Sequence, residues 1–239
     1  MKLNADLGET FCGMSDSDKQ LMPLLDQANI ACGGHAGDLT TMRETVAFAK
    51  QHNVSIGAHP SYPDLANFGR VTVDMPAQEL QQAIVDQVKT LQQICLSEGI
   101  QLSYVKPHGA LYNDMMRDLG VMNTVMRAIV VLNSDLKLMI QATPDFENHR
   151  VFANLHGIEL ILEAFADRGY QANGLLIPRT VEGAVLTADE AVKQVHQLKC
   201  NGCISTMNSS KLRMPVNTVC VHGDNPEALN VVQQIRALI

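Results

Sequence analysis

Several features that mark common protein classes are missing from this 239-residue chain. No apolar run approaches the roughly 20 residues that span a bilayer. The N-terminal MKLNADLGE passes from one lysine straight into polar residues, unlike a secretory leader. A cytoplasmic protein with no membrane partner is expected. A basic excess is also lacking: 18 Lys and Arg stand against 25 Asp and Glu, for a formal charge of −7. That balance argues against nucleic acid or an anionic membrane surface as partner, because either would need a basic patch. Local arginines can still attract a small anion. Charged residues are scarce at 18%, and 46% of the chain is hydrophobic, so one substantial core is expected, with 1–239 forming a single domain.

Chemical signatures are missing as well. There is no GxSxG turn to present a serine nucleophile, so activated water is preferred over a covalent intermediate. Neither GxxxxGK[ST] nor GxGxxG occurs, and no classical nucleotide site is visible. Cys12, Cys32, Cys95, Cys200, Cys203 and Cys220 are scattered and read as reduced thiols. Cys200 and Cys203 form a CxxC pair without a second ligand pair at matching spacing, which fits a loop or helix end before a strand.

What is present is an alternation of short apolar runs with helical patterns. Strands are predicted at Lys2–Ala5, Ala28–Ala31, Ser55–Ala58, Leu102–Val105, Leu138–Gln141, Leu160–Glu163 and Thr218–Val221. The clearest helix runs from Pro76 to Glu98, with Leu80, Ile84, Val88, Leu91 and Cys95 at three- and four-residue spacing and Gly99 as a stop. Asp38 or Thr40 can cap another through His52, and Pro226 can start a last one carrying Leu229, Val232, Ile235 and Leu238. Strands alternating with helices imply parallel pairing, since each return crossover is a helix lying over the sheet. The fold class is therefore α/β with about seven strands, either a closed parallel (β/α) barrel or a doubly wound open sheet. In both, ligands bind beyond the carboxyl ends of the strands.

Polar motifs sit at those ends. NADLGE, CGGHAGD, GAHPSYPD, KPHGALYND, FADRGY and VCVHGDNP each follow an apolar run and carry a Gly or Pro for the turn. They bring together carboxylates (Asp6, Glu9), imidazoles (His35, His59, His108) and the ammonium of Lys106, groups suited to acid–base work and to holding an oxyanion. Pro107 keeps Lys106 extended, which aims its ammonium into the cavity. A hydrolase or related lyase is implied. Asp6, His35 and His59 have the ligand types for a divalent metal, although no tight HxH or HxxxH spacing forces one. Gly33, Gly34 and Gly37, ahead of a helix start, offer either backbone N–H groups to an anion or a plain tight turn. His52, His149, His156 and His196 fall within or just after helices and read as surface or packing residues.

The strings LNADLGE, ANIACGGHAGD, IGAHPSYPDLANFGR, VKPHGALYN, FADRGYQANG, LIPRTVEGAV and TVCVHGD together resemble the successive signature blocks of the LamB/YcsF family, in the family's order and over nearly the whole chain. Gly34, where the family often shows a bulky residue, and NSSKLRMPVN before the last strand depart from that pattern. The resemblance implies a glycoside hydrolase/deacetylase-like barrel and 5-oxoprolinase activity, with 5-oxo-L-proline, ATP and water giving L-glutamate, ADP and phosphate. It also implies partner subunits B and C, with ATP as co-substrate. In that reaction Asp6 or Glu9 with His59 would activate water, while Lys106 and His108 stabilise negative charge. Arg70 or Arg179 would clamp the substrate carboxylate or else pair with Asp64 or Glu182. His35, Asn113, His222 and Asp224 complete the expected substrate-binding set. A stand-alone metal-dependent deacetylase or other C–N hydrolase, and a non-catalytic subunit, are the alternatives.

Overall fold

A computed structural model describes residues 1–132, 135–222 and 227–239. Seven strands close into a barrel: β1 (Lys2–Leu7), β2 (Gln27–Ala31), β3 (Ser55–His59), β4 (Tyr104–Val105), β5 (Lys137–Gln141), β6 (Leu160–Phe165) and β9 (Thr218–Cys220). All seven junctions are parallel, and β9 joins β6 to β1. The open-sheet alternative is thereby set aside. A two-stranded antiparallel hairpin, β7 (Cys203–Ser205) with β8 (Lys211–Arg213), stands outside the barrel.

The strands alternate in a way that positions the site. Asn4 donates to Thr218, Asn29 donates to Asn4, and Tyr104 donates to Asn29, a hydrogen-bonded chain linking β9, β1, β2 and β4. Tyr104 on β4 reaches Asn29 on β2 past the intervening β3, and the chain it closes places Asn4, Asn29, Tyr104 and Thr218 in the barrel interior. With a side-chain period of two, Asp6 follows Asn4 on the same face, as Lys106 follows Tyr104. The intervening residues Leu3, Ala5, Leu7, Ile30, Ile56, Leu138 and Val219 are buried in the hydrophobic cluster with the helices. Gly57 makes the interior layer fit, because a Cβ there would lie 2.1 Å from a ring carbon of Tyr104.

Helices cover the outside: α1 (Asp16–Leu21), α2 (Leu39–Gln51), α3 (Ala77–Ser97), α4 (Gly109–Met115), α5 (Leu119–Val131), α6 (Phe146–Leu155), α7 (Ala188–Asn201) and α8 (Ala228–Leu238). The stripe Leu80, Ile84, Val88, Leu91 and Cys95 of α3 is buried as its spacing requires. Pro76 is the residue before this helix, and Asp38 caps α2 by accepting from the Thr41 amide. Helix α7 ends at Asn201, Gly202 turns the chain in the left-handed region, and Cys203 opens β7, so the CxxC pair spans a helix end and a strand. The expected start of the last helix at Pro226 lies outside the described residues. Among the described residues no helix is long and apolar enough to cross a membrane.

Candidate active site

The carboxyl ends of the barrel strands open into a cavity of about 410 Å³. Asp6, Glu9, His59, Lys106, His108, Asn113, Arg70, Arg179 and His222, all expected from the sequence, line it. His35 lies behind this wall, 1% exposed and stacked on His108 with ring centroids 3.7 Å apart. Asp224 falls outside the described residues.

At the floor, Lys106 Nζ lies 2.8 Å from Asp6 Oδ1 and 2.9 Å from Glu163 Oε1. It also donates to Cys220 Sγ at 3.3 Å, with the Phe165 ring 5.4 Å away. The side chain is only 2% exposed, so its ammonium does point inward. Tyr112 on α4 donates to Glu163 Oε2 at 2.9 Å, and Asn29 donates to Asp6 Oδ1 at 2.7 Å. Burial works against the charge on Lys106, but Asp6 and Glu163 outweigh it and raise its pKa well above the ordinary lysine value. Burial likewise pushes the Asp6 carboxyl up, and the charges of His59 and Lys106 overcome it, leaving Asp6 well below the usual carboxylate range. Lys106 and Asp6 therefore stay charged. Asp6 Oδ2 remains on the cavity side, 3.4 Å from His59 Nε2.

Above the floor sit Glu9 and three histidines. Burial, reinforced by Asp6, raises the Glu9 pKa. Burial also lowers His35 and His108 to about 2, so both rings are neutral. Glu9, His35, His59 and His108 each offer one ligand atom within 4.8 Å of the others, a set that fits a divalent metal ion. Asp6, expected among the metal ligands, is not in this set; its Oδ1 accepts from Lys106 and Asn29. Gly69, in the left-handed region at φ +62°, lets the β3–α3 loop press on the rings; a Cβ there would lie 2.9 Å from His35 Cβ and 3.0 Å from His108 Cδ2. Gly33 donates its N–H to the Ala36 carbonyl, so its backbone serves a tight turn. At Gly34 a Cβ would meet Gln87 Oε1 at 2.2 Å, and Gln87 in turn accepts from the Ser61 amide and donates to the Ser61 carbonyl. A bulky residue at 34 would displace that clamp, which accounts for glycine here.

On the far wall, His222 Nδ1 lies 3.0 Å from both carboxylate oxygens of Asp167, and its ring stacks on Phe165. Burial favours neutral His222, but the Asp167 carboxylate prevails and raises its pKa. Asp167 itself is lowered: burial opposes its charge, while His222 and the hydrogen bonds it donates win. Arg70, Arg117, Arg168 and Arg179 all line the cavity; Arg168 is held by the carbonyls of Ala184 and Ile177, and Arg70 lies over the Phe68 ring at 5.0 Å. The excursion between β6 and α7, tied by bridges Arg168–Val185 and Tyr170–Leu176, carries Ile177 to Thr180 over the opening.

Sequence reasoning missed Glu163, Asp167, Tyr112, Arg117 and Arg168. Asp167, Arg168 and Tyr112 lay inside motifs already singled out, FADRGY and KPHGALYND. Glu163 was a lone carboxylate in the apolar string LILEAF, which was itself a signal.

Comparison with known proteins agrees with the resemblance. The LamB/YcsF family model matches residues 1–239. A Vibrio cholerae protein that carries the name of the 5-oxoprolinase A-subunit is 44% identical over 241 residues, covering 100% of this chain and 97% of its own. One of the same name from Pseudomonas fluorescens is 42% identical over 236 residues, covering 98% and 94%. The crystal structure of a lactam utilization protein from Thermus thermophilus superposes with a TM-score of 0.89 at 32% identity, covering 100% of this chain and 95% of that one.

Proposed function

The chain belongs to the LamB/YcsF family, and from that premise we propose that it is the lactam-opening subunit of an ATP-dependent 5-oxoprolinase, acting with subunits B and C in the cytoplasm. The observation that carries this reading is one cavity lined by Asp6, held well below the usual carboxylate range, by His222, raised above the ordinary histidine value by Asp167, and by Arg70, Arg117, Arg168 and Arg179. The names of the relatives supply the substrate, and the chain's own residues suggest how it is opened.

A five-membered lactam is a resonance-stabilised amide whose ring closure is favourable, so water alone attacks it poorly. Transfer of phosphate from ATP to the amide oxygen turns C5 into a strong electrophile. The sequence has no phosphate loop, so that transfer is assigned to the partner subunits. In this cavity Asp6 takes a proton from water as the water oxygen bonds to C5. The C5–N bond then breaks while the ring nitrogen takes a proton from His222 and the new C5 hydroxyl gives its remaining proton to solvent, forming the acyl C=O. The opened chain is an acyl phosphate, and a second water splits it to L-glutamate and phosphate. Two anionic groups, carboxylate and phosphate, account for several arginines where one would hold a carboxylate alone. Lys106 acts through Asp6 by keeping it ionised, because its ammonium already faces Asp6, Glu163 and Cys220.

Reconstitution tests the reading. Glutamate released from 5-oxoproline is followed with the chain, both partner subunits and ATP, and again with each omitted. Release should require all of them, and the chain alone should consume no ATP. Robust 5-oxoproline-dependent ATP turnover by the isolated chain would overturn the assignment.

A further inference from the structure

Above Asp6 the cavity holds a cluster that the proton transfers leave unused. Glu9 Oε1 lies 3.1 Å from His35 Nε2, 3.4 Å from His108 Nδ1 and 3.9 Å from His59 Nε2. His59 Nε2 and His108 Nδ1 are 3.0 Å apart. The outer nitrogens of these two rings are already engaged, His59 Nδ1 with the Lys106 carbonyl at 2.7 Å and His108 Nε2 with the Phe68 carbonyl at 3.0 Å. A carbonyl oxygen only accepts, so each outer nitrogen carries its ring's proton, and the inner nitrogen of a neutral ring carries a lone pair. The inner nitrogens of His59 and His108 thus face each other across 3.0 Å with a Glu9 carboxyl oxygen beside them. A cation held among these atoms would be shared by all of them, His35 included, whereas a proton would join only one pair. His35 turns its Nε2 to the same Glu9 oxygen, and its buried Nδ1 makes no hydrogen bond.

We infer that Glu9, His35, His59 and His108 form a binding site for one divalent metal ion of the zinc class. Three imidazoles and one carboxylate suit zinc, cobalt or nickel and disfavour magnesium or calcium, which prefer all-oxygen sites. Ligand bonds of about 2.0–2.1 Å place tetrahedral ligand atoms about 3.4 Å from one another. The four separations given above, from 3.0 to 3.9 Å, bracket that value. The carbonyls of Lys106 and Phe68 fix the tautomer and orientation of two ligands, as such partners do around protein-bound zinc.

Metal uptake decides the matter without reference to turnover. The chain is stripped with a chelator, and Zn²⁺ binding is measured by calorimetry and elemental analysis at neutral pH. These measurements use a His196→Ala/Cys200→Ser background, which removes the surface pair whose atoms lie 3.7 Å apart. One ion per chain is expected, and Co²⁺ should give the intense visible bands of a four-coordinate site. Glu9→Gln and His35→Ala should each weaken Zn²⁺ binding by roughly a hundredfold, because each removes a ligand. Glu9→Gln is nearly isosteric at a partly exposed side chain, so it keeps the test alive if a histidine variant fails to fold. Substoichiometric uptake, or affinity unchanged in both variants, would overturn the site, as would a strongly downfield proton signal shared by His59 and His108 in a chain that takes up no metal. None of these results bears on whether glutamate forms in the reconstituted complex, so this inference and the proposed function fail separately.

Discussion

Replacing Lys106 by methionine keeps the length of the stem and removes the charge, which tests how the barrel floor is held together. In the native chain the ammonium stands 2.8 Å from Asp6 and 2.9 Å from Glu163, and both carboxylates are buried or nearly so. Without it, two buried carboxylates lose the ammonium that stands between them. Removing one partner of a buried ion pair costs about 3–5 kcal/mol, against a total stability of about 5–15 kcal/mol for a domain. Urea unfolding followed by far-UV circular dichroism should show a loss in that range at pH 7. Adding Glu163→Gln should recover part of it, since the neutral amide can still accept from Tyr112. The sign of the pH dependence follows from the charges. Asp6, now held below the usual range by His59 and Lys106, contributes stability in the native chain that is lost as pH falls. In the variant, burial acts on Asp6 without the Lys106 charge and works to raise its carboxyl, which penalises the folded state most at higher pH. The gap between native and variant should therefore narrow from pH 7 to pH 5. A loss below about 1 kcal/mol at pH 7, far under the cost of an unpaired buried charge, or a gap that widens toward pH 5, would refute the reasoning.

Three further outcomes follow from the geometry. Gly57→Ala should destabilise the chain by more than a typical overpacking cost of about 1–3 kcal/mol, because the new methyl would fall 2.1 Å from the Tyr104 ring; a near-native urea midpoint would contradict the interior layer. Asp167→Asn should lower the His222 pKa, since burial then acts without its nearest carboxylate. The native pair's stability is present below the unfolded histidine value and lost as pH rises through the raised one; NMR titration of His222 reads the shift, and turnover in the complex should lose its basic limb at lower pH in the variant. A thiol reagent on the native protein should label Cys12 and Cys200 and spare the other four cysteines, two of which, Cys32 and Cys95, burial pushes up to about 12; fast labelling of four or more would be inconsistent with the packing.

Much of the barrel was legible because each strand ends a run of apolar residues and each helix carries a stripe at three- and four-residue spacing. Periodicity alone left closure open, since an open sheet and a barrel present the same local pattern; the pairing of β9 with both β1 and β6 is a long-range fact. Strand ends ran past the predicted boundaries at Leu7, His59 and Phe165 because ladder partners extend them, not local propensity. The hairpin of β7 and β8 was missed where short segments with polar flanks give little alternation to read. In the site, residues at the tips of motifs were found because polar groups repeat at strand end after strand end. Glu163 and Lys106 meet from β6 and the end of β4, and no single-sequence pattern joins positions so far apart. The same holds for His222 with Asp167, whose partnership depends on β6 lying next to β9.

The central claim is that Asp6 delivers water to the lactam carbon in this cavity, and one substitution tests it most directly. Asp6→Asn keeps the side chain's shape at the floor while removing the proton acceptor. In the complex reconstituted with subunits B and C, glutamate release from 5-oxoproline should fall by about a hundredfold or more, the scale of a lost general base. Consumption of ATP by the partner subunits should continue. Near-normal glutamate release by the Asp6→Asn complex would contradict the account.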